Sequence, residues 1–138
     1  MTLGAEDRMA ITELIGLHGH LVDNGELDRL DELFTADVVY DATDMGHGTM
    51  HGMAAVREAA RAMGGHGPLG HHVTNVVLTG IDGDRVRVRS KGIGIRADGR
   101  CGSVTYDDLV VRGANGWRIS RREVAGRRPP AGADERST

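Results

Sequence analysis

The sequence predicts an α+β fold, in which three N-terminal helices pack on one face of a curved sheet of antiparallel or mixed strands. Three observations support this fold class. Helical spacing of apolar residues dominates the first half of the chain, a period of two begins near residue 71, and glycine-containing turn signals then recur. The length of 138 residues suits one domain, which we expect to cover 1–127, followed by a disordered polar tail over 128–138.

The first half of the chain is predicted to hold the helices. Apolar residues at helical spacing are followed by Asn24 and Gly25, a typical helix stop, so the first helix covers roughly residues 5–24. A short second helix follows over about 27–34. The third lies in "MAAVREAARAM", which is rich in good helix formers and precedes two glycines.

The remaining elements are predicted to be strands. "DVVYDATD" predicts a strand from about Asp37, whereas the glycine-rich "MGHGTMHG" predicts a loop. From His71 onward, turn signals at residues 82–84, 98–100 and 114–116 separate four runs of alternating character. These four runs predict an antiparallel meander.

Composition and charge argue against several classes of protein. The formal charge of −3 does not suit nucleic-acid binding, and no apolar run reaches the ~20 residues that span a bilayer. The single cysteine, Cys101, cannot form an internal disulfide, and no signal segment precedes the first helix. We therefore expect a cytoplasmic protein that binds neither nucleic acid nor membrane.

Two adjacent histidines at the start of the meander are the main indication of chemistry. Under strict alternation His72 shares one face with Val76 and Leu78, and His71 lies on the other face. At least one ring then points towards the helices, where a group that titrates near neutrality can act as a general acid or base. A buried structural histidine is the alternative interpretation, and the partners decide between the two.

Several residues could partner these histidines. Asp23 lies in the last turn of the first helix, although its place away from the apolar stripe also fits a solvated carboxylate. Tyr106 and Asp108 share one face of the third meander strand, where Asp108 could instead pair with Arg121 or Arg122. Further candidates for partners or for a substrate-binding surface are Asp41, His18, His47, His51, Met53 and Val76.

A zinc site is considered and not favoured. The spacing between His47 and His51 passes through glycines rather than along a helix, no glutamate lies between them, and there is no cysteine pair. His66 and the two adjacent histidines do not change this. We expect no metal and no cofactor.

A Schiff-base lysine is also considered. Strict alternation places Lys91 on the outer face with Arg87 and Arg89, where it is solvated or lies in a dimer interface. A bulge at Gly92 would reverse that placement.

The motif order supports a family resemblance. "LVDNGELDRLDELFTADVVYD", "HGMAAV", "GHHVTN" and "SVTYDDLVVRGANGWRISRR" together resemble the SnoaL-like and scytalone-dehydratase-like branch of the nuclear-transport-factor-2-like superfamily, over roughly residues 5–127. The "D-x-G-E-L-D" junction and the "N-G-W-R-I" hairpin carry most of the resemblance. It implies a cone of three helices and a bent sheet around an apolar cavity, usually in a homodimer.

The resemblance also implies site residues. Asp23 and His72 match an aspartate and a catalytic histidine of scytalone dehydratase, and His51 lies within about one residue of a second catalytic histidine. A pair of tyrosines that holds water in that enzyme is missing here, and one of those positions is Asp41. Tyr106 replaces an active-site asparagine and could supply the hydrogen-bond donor.

The favoured function is that of a cofactor-independent acid/base enzyme acting on a hydrophobic small molecule. His72 would carry the proton, Asp23 would orient it, and Tyr106 would polarise a carbonyl or stabilise an enolate. This apparatus suits a dehydratase, an isomerase or a polyketide-type cyclase. Two alternatives stay open: a non-catalytic ligand-binding or assembly protein of the same fold, and an epoxide hydrolase that uses Asp41 and Asp108 with an arginine we cannot place.

Overall fold

The computed structural model describes residues 3–128. The elements follow in the order α1 (Ala5–Asp23), a 3₁₀ helix (Leu27–Glu32), β1 (Phe34–Ala42), a 3₁₀ turn (Thr43–Met45), β2 (Gly48–His51), α2 (Met53–Met63), a second 3₁₀ turn (Gly64–His66), β3 (Gly70–Asp82), β4 (Arg85–Ile95), β5 (Cys101–Gly113) and β6 (Gly116–Gly126). Most of the expected polar tail, residues 129–138, lies outside the described residues. Arg128 is described, and its guanidinium bonds to Asp44.

The six strands form one curved sheet in the order β2-β1-β6-β5-β4-β3. The β1 and β6 strands pair in parallel, and the other neighbours pair antiparallel. The predicted α+β class and the predicted meander, β3 to β6, are therefore confirmed.

Two predicted elements differ from the structure. The second helix is a 3₁₀ helix, and the glycine-rich segment predicted as a loop contains a turn and the short strand β2. Gly46 and Gly48 have φ of 84° and 68°, a backbone conformation that glycine adopts easily, so the chain can turn back and pair β2 with β1. The high glycine content of this segment correctly predicted the turn but gave no indication of the short strand.

The core lies between α1 and the inner face of the sheet. The α1 side chains Ile11, Ile15 and Leu21 are fully buried against strand residues such as Val88 and Ile119. This apolar stripe is what holds α1 across the sheet and so places the end of the helix beside β3. Among residues 3–128, no helix combines the length and apolar character needed to cross a bilayer.

A bulge in β3 changes which of its residues face the core. Two residues of β3, Asn75 and Val76, lie opposite Ser90 of β4, and Asn75 has a left-handed φ of 55°. Strict alternation therefore fails here. His71, which precedes the bulge, lies on the same inner side as Val76, the second of the two bulge residues.

A second bulge acts in the same way on β6. Ser120 is the extra residue, since the pairing with β5 shifts by one between Ile119 and Arg121. Trp117 and Ile119 face the core before the bulge, and Arg122 faces it afterwards. Without this bulge the guanidinium of Arg122 would lie on the outer face.

Candidate functional site

Asp23 and His71 form a hydrogen-bonded pair between the end of α1 and the start of β3. His71 Nδ1 lies 2.6 Å from Asp23 Oδ1, and the backbone N–H of His71 donates to Asp23 Oδ2 over 2.9 Å. The His71 and Asp23 side chains are 21% and 22% exposed. Because a carboxylate accepts hydrogen bonds, Nδ1 is the nitrogen that donates to Asp23, and Nε2 is the nitrogen that faces away from this contact.

A glycine in α1 allows this approach. A Cβ at Gly19 would collide with the backbone carbonyl oxygen of His71. The helix therefore packs directly on the β3 backbone one turn before Asp23, the last residue of α1. The carboxylate is thereby brought within reach of both the His71 ring and its amide.

The structure corrects the predicted placement of His72. Its side chain is exposed and lies on the face opposite to His71. The prediction grouped His72 with Val76 by strict alternation, and the bulge at Asn75 reverses that grouping. His71 is therefore the histidine that contacts Asp23.

His18 lies next to His71 on the inner side of α1. It is 6% exposed, and its ring centroid is 5.8 Å from those of His71 and Tyr106. Burial lowers the pKa of His18 well below its usual range, and the charges of Arg122 and His71 lower it further, so the ring is neutral near pH 7. Its Nδ1 has no hydrogen-bond partner among residues 3–128.

Tyr106 continues this row of rings across the sheet. It is 5% exposed, and burial raises the pKa of its phenol to about 12, so the hydroxyl is a donor at neutral pH. A Cβ at Gly92 would lie 2.6 Å from Tyr106 Cε2 and 2.9 Å from its hydroxyl oxygen. The absence of a side chain at Gly92 therefore leaves the space that the Tyr106 ring and hydroxyl occupy.

Asp108 and Arg122 form a fully buried ion pair beside Tyr106. Arg122 Nε and Nη2 donate to the two carboxylate oxygens of Asp108 over 2.8 and 2.9 Å, and both side chains are 0% exposed. Burial disfavours the guanidinium charge, but the charge and hydrogen bonds of Asp108 outweigh it and raise the pKa of Arg122. Of the two pairings considered for Asp108, the structure shows the one with Arg122.

Other predicted site residues lie apart from this cluster. Asp41 accepts a hydrogen bond from the backbone of Thr43 over 3.0 Å and lies 4.0 Å from Arg121 on the outer face, because its neighbour Tyr40 packs inward. The hydrogen bonds of Thr43 lower the pKa of Asp41. His51 is exposed at the end of β2, at the sheet edge opposite to β3. The structure therefore places Asp41 and His51, which the sequence analysis proposed as site residues, outside this cluster.

The remaining candidates occupy structural or exposed positions. Met53 and Val76 are partly buried and pack against the core. Lys91 is exposed on the outer face, as predicted, because β4 pairs with β5 without a bulge at Gly92. His47 and His66 are exposed, and no group of three metal-binding side chains occurs within the described residues.

Two surface depressions lie away from the cluster. One, of about 180 Å³, is lined by residues that include Asp7, Ile81 and Arg112, and the other, of about 300 Å³, lies along α1 beside Met9 and Thr12. Neither is bordered by Asp23, His71 or Tyr106. About a fifth of the side-chain surface of Asp23 and of His71 is exposed, so the pair is accessible to solvent.

Sequence reasoning did not select His71 or the inward position of Arg122. One local signal existed for the first, since Asn75 interrupts a run of β-branched residues and asparagine tolerates a left-handed backbone. The inward position of Arg122 had a weaker signal in the sequence. It depends on the bulge at Ser120, and a serine there is equally typical of an outward-facing residue in a regular strand.

Comparisons with known proteins agree with this architecture. An uncharacterized protein of Mycobacterium tuberculosis is 30% identical over 123 residues, which are 84% of this chain and 82% of that protein. A solved structure from Novosphingobium aromaticivorans, provisionally named an aromatic ring hydroxylase, is 30% identical with a TM-score of 0.79, covering 93% of this chain and 94% of that chain.

Two further structures from Novosphingobium aromaticivorans carry fold names. One, an NTF2-like protein with a cystatin-like fold, is 31% identical with a TM-score of 0.74, covering 93% of this chain and 84% of the other. One provisionally named a scytalone dehydratase is 22% identical with a TM-score of 0.72, covering 93% and 95%, and shows the shared fold alone. Residues 4–123 match the SnoaL-like domain, so the chain belongs to the SnoaL-like domain family.

Proposed function

We propose that this protein is a cofactor-independent acid/base enzyme acting on a hydrophobic small molecule, with His71 rather than His72 as the proton carrier. The observation that carries the proposal is the 2.6 Å contact between His71 Nδ1 and Asp23 Oδ1. A carboxylate in this position orients the imidazole and stabilises the imidazolium that forms when Nε2 takes a proton. The partial exposure of the pair leaves a path for a substrate.

The neighbouring groups suit proton removal next to a carbonyl. His71 Nε2 would take the proton from the α-carbon, while the neutral Tyr106 hydroxyl donates to the carbonyl oxygen as the enolate forms. Return of the proton from His71 to another carbon gives isomerisation. If His71 instead gives the proton to a β-hydroxyl, that group leaves as water and the enolate becomes an enone, which is dehydration. Attack of the enolate carbon on a second carbonyl, whose oxygen then takes the proton, gives cyclisation. The resemblance to scytalone-dehydratase-like proteins supports this reaction class.

Proton exchange provides a test that needs no natural substrate. The α-protons of 2-indanone are acidic, so wild-type protein in D₂O should accelerate their exchange, as followed by proton NMR. His71→Ala should lower the enzyme-dependent rate by about 10²–10⁴, the usual contribution of a general base. Asp23→Asn should lower it as well.

His72→Ala is the matched control, because it removes the adjacent ring on the opposite face. It should keep the wild-type exchange rate. A rate that falls in His72→Ala and persists in His71→Ala would contradict the proposal.

A non-catalytic ligand-binding or assembly role is the second candidate. It is favoured by the second hydrogen bond of Asp23, which joins the end of α1 to the β3 backbone as a structural tie would. In that case the wild type would not accelerate exchange, and the His71 and Asp23 variants would differ from it in stability alone. Epoxide opening is less well supported, because Asp41 lies outside the cluster that holds Asp108 and Arg122.

We also infer a homodimer, as the family resemblance implies. Size-exclusion chromatography with light scattering would measure the mass directly. A mass near the 14.7 kDa of one chain would contradict this inference.

A further inference from the structure

His18 lies between the two residues to which the proposed function gives a part in the reaction. Its ring centroid is 5.8 Å from that of His71 and 5.8 Å from that of Tyr106, at interplanar angles of 82° and 63°. Both contacts are of the edge-to-face kind, in which the positive edge of one ring meets the negative face of the other. His18 is therefore the ring that the base and the hydrogen-bond donor both contact.

The sheet alone does not set the spacing of these two residues. His71 lies on β3 and Tyr106 on β5, with β4 between them. The Tyr106 ring leans over Gly92 of β4, where no side chain lies in its way. From the other side, α1 packs at Gly19 on the His71 backbone, and the preceding residue, His18, contacts both rings. A helix residue thus links the base on one strand to the donor on another.

The hydrogen bond of Asp23 leaves one motion of the His71 ring unrestrained. It holds Nδ1 at 2.6 Å from Asp23 Oδ1, but the ring can still tilt about that contact, since the second side-chain torsion of histidine has broad minima. His18 lies almost perpendicular to the His71 ring and is 6% exposed, so a closely packed side chain restricts the tilt. The tilt sets the direction of Nε2, the nitrogen that takes the proton.

The charge state of His18 suits this place. Burial lowers the pKa of its ring well below the usual range, so the ring is neutral near pH 7. A charged ring in contact with His71 would oppose the positive charge that forms when Nε2 takes a proton. A flat and uncharged side chain avoids that repulsion.

We propose that His18 is a positioning residue, whose ring fixes the tilt of His71 and its spacing from Tyr106, so that both groups can act on one substrate. The inference rests on the proposed function for the roles of His71 and Tyr106. His18 itself takes no proton in the reaction. If His18 served core packing alone, an apolar side chain of similar volume would replace it without loss.

Replacement of the ring separates positioning from packing. His18→Leu keeps an apolar side chain of similar volume without a flat ring, so the exchange rate of 2-indanone protons should fall about 10- to 100-fold, as expected for a misplaced base. Incorporation of β-(3-thienyl)alanine at position 18 restores a flat, uncharged ring of the same size without its nitrogens. This variant should regain most of the lost rate, and it stays informative if His18→Leu does not fold.

The orientation of His71 can also be measured without any reaction. In nitrogen-15-labelled wild-type protein, the Nδ1 proton of His71 should give a downfield NMR signal, because it is bonded to a carboxylate. In His18→Leu this signal should broaden or move towards that of a free imidazole, and the thienyl variant should restore it. His20→Leu is the matched control, since it removes an exposed histidine of the same helix, and should keep the wild-type rate and signal.

The two readouts distinguish this inference from the proposed function. A His18→Leu protein with the wild-type rate and an unchanged His71 signal would overturn the inference alone. A loss of rate that the thienyl ring does not restore would also overturn it, because a nitrogen of His18 would then be what matters. If the wild type does not accelerate exchange, the proposed function fails. An unchanged His71 signal in His18→Leu would then overturn the orienting role as well, and a shifted signal would support it.

Discussion

At the scale of single residues, position decides what each imidazole can do. His71 is partly exposed and bonded to a carboxylate, so its ring is oriented and its Nε2 is free for a proton. His18, 5.8 Å away, is buried without a carboxylate and is held neutral. The two rings differ in environment and not in type, which is why their chemistry differs.

The neutrality of His18 predicts a pH dependence of stability. Its pKa is well below 6.5 in the folded state, so as the pH falls through 6.5 the unfolded chain gains a proton that the folded chain does not. Stability must therefore fall with decreasing pH, by up to about 1.4 kcal/mol per pH unit from this group. His18→Gln should lose this part of the slope in urea denaturation between pH 7 and pH 5.5.

His20→Gln is the control for that measurement, because His20 is exposed on the same helix. It should keep the wild-type slope. Equal slopes for wild type and His18→Gln would contradict the assigned neutral state.

The close contact between Gly92 and the Tyr106 ring predicts that a side chain at position 92 would displace Tyr106. Gly92→Ala would place a Cβ 2.6 Å from Tyr106 Cε2, so the ring must move and the protein should lose about 1–3 kcal/mol of stability. Exchange of the 2-indanone protons should fall as well, since the hydroxyl is displaced. Gly102→Ala, where nothing lies within 4 Å of the added carbon, should leave exchange unchanged in the same NMR assay.

At the scale of elements, two bulges and one close helix contact assemble the site. The bulge at Asn75 turns the start of β3 inward, and the bulge at Ser120 turns Arg122 inward. The contact at Gly19 then brings α1 onto β3. Each of these three features involves only a few residues, and together they bring the Asp23–His71 pair and Arg122 to the inner side of the sheet.

The helix contact gives a prediction at this scale. Gly19→Ala would press a methyl group on the backbone oxygen of His71, which cannot rotate away, so α1 must lift from β3 and separate Asp23 from His71. Stability should fall by at least about 1–3 kcal/mol, and proton exchange should be lost. Circular dichroism with urea and the NMR assay measure the two effects.

The same helix offers a matched control. Gly16→Ala adds the same methyl group where nothing lies within 4 Å, so improved helix propensity should leave stability equal or raise it by about 0.5–1 kcal/mol. Similar destabilisation by both variants would show that the close contact is not what holds α1 in place.

At the scale of the whole molecule, the buried ion pair lies at the centre of the sheet and contributes little net stability. Asp108 and Arg122 join β5 to β6 in the middle of the sheet, with no exposed surface. Removing two charges from water costs about as much as their attraction returns, so such a pair adds little net stability.

A pair of variants tests that view. Arg122→Leu should lose about 3–5 kcal/mol, because it leaves Asp108 buried and unpaired. The double variant with Asp108→Leu should regain most of that stability in urea denaturation. A double variant no more stable than the single one would contradict the assignment.

The sequence by itself determined the fold class, the helix and meander positions and the family, because each follows from local periodicity, turn residues and motif order. It also indicated Asp23, Tyr106 and Asp108 as candidate site residues. Only the tertiary structure decided that His71 rather than His72 joins Asp23, and that Arg122 lies inside. The physical reason is that one extra residue in a strand reverses the facing of every side chain beyond it, and that residue is placed by the pairing with a distant strand.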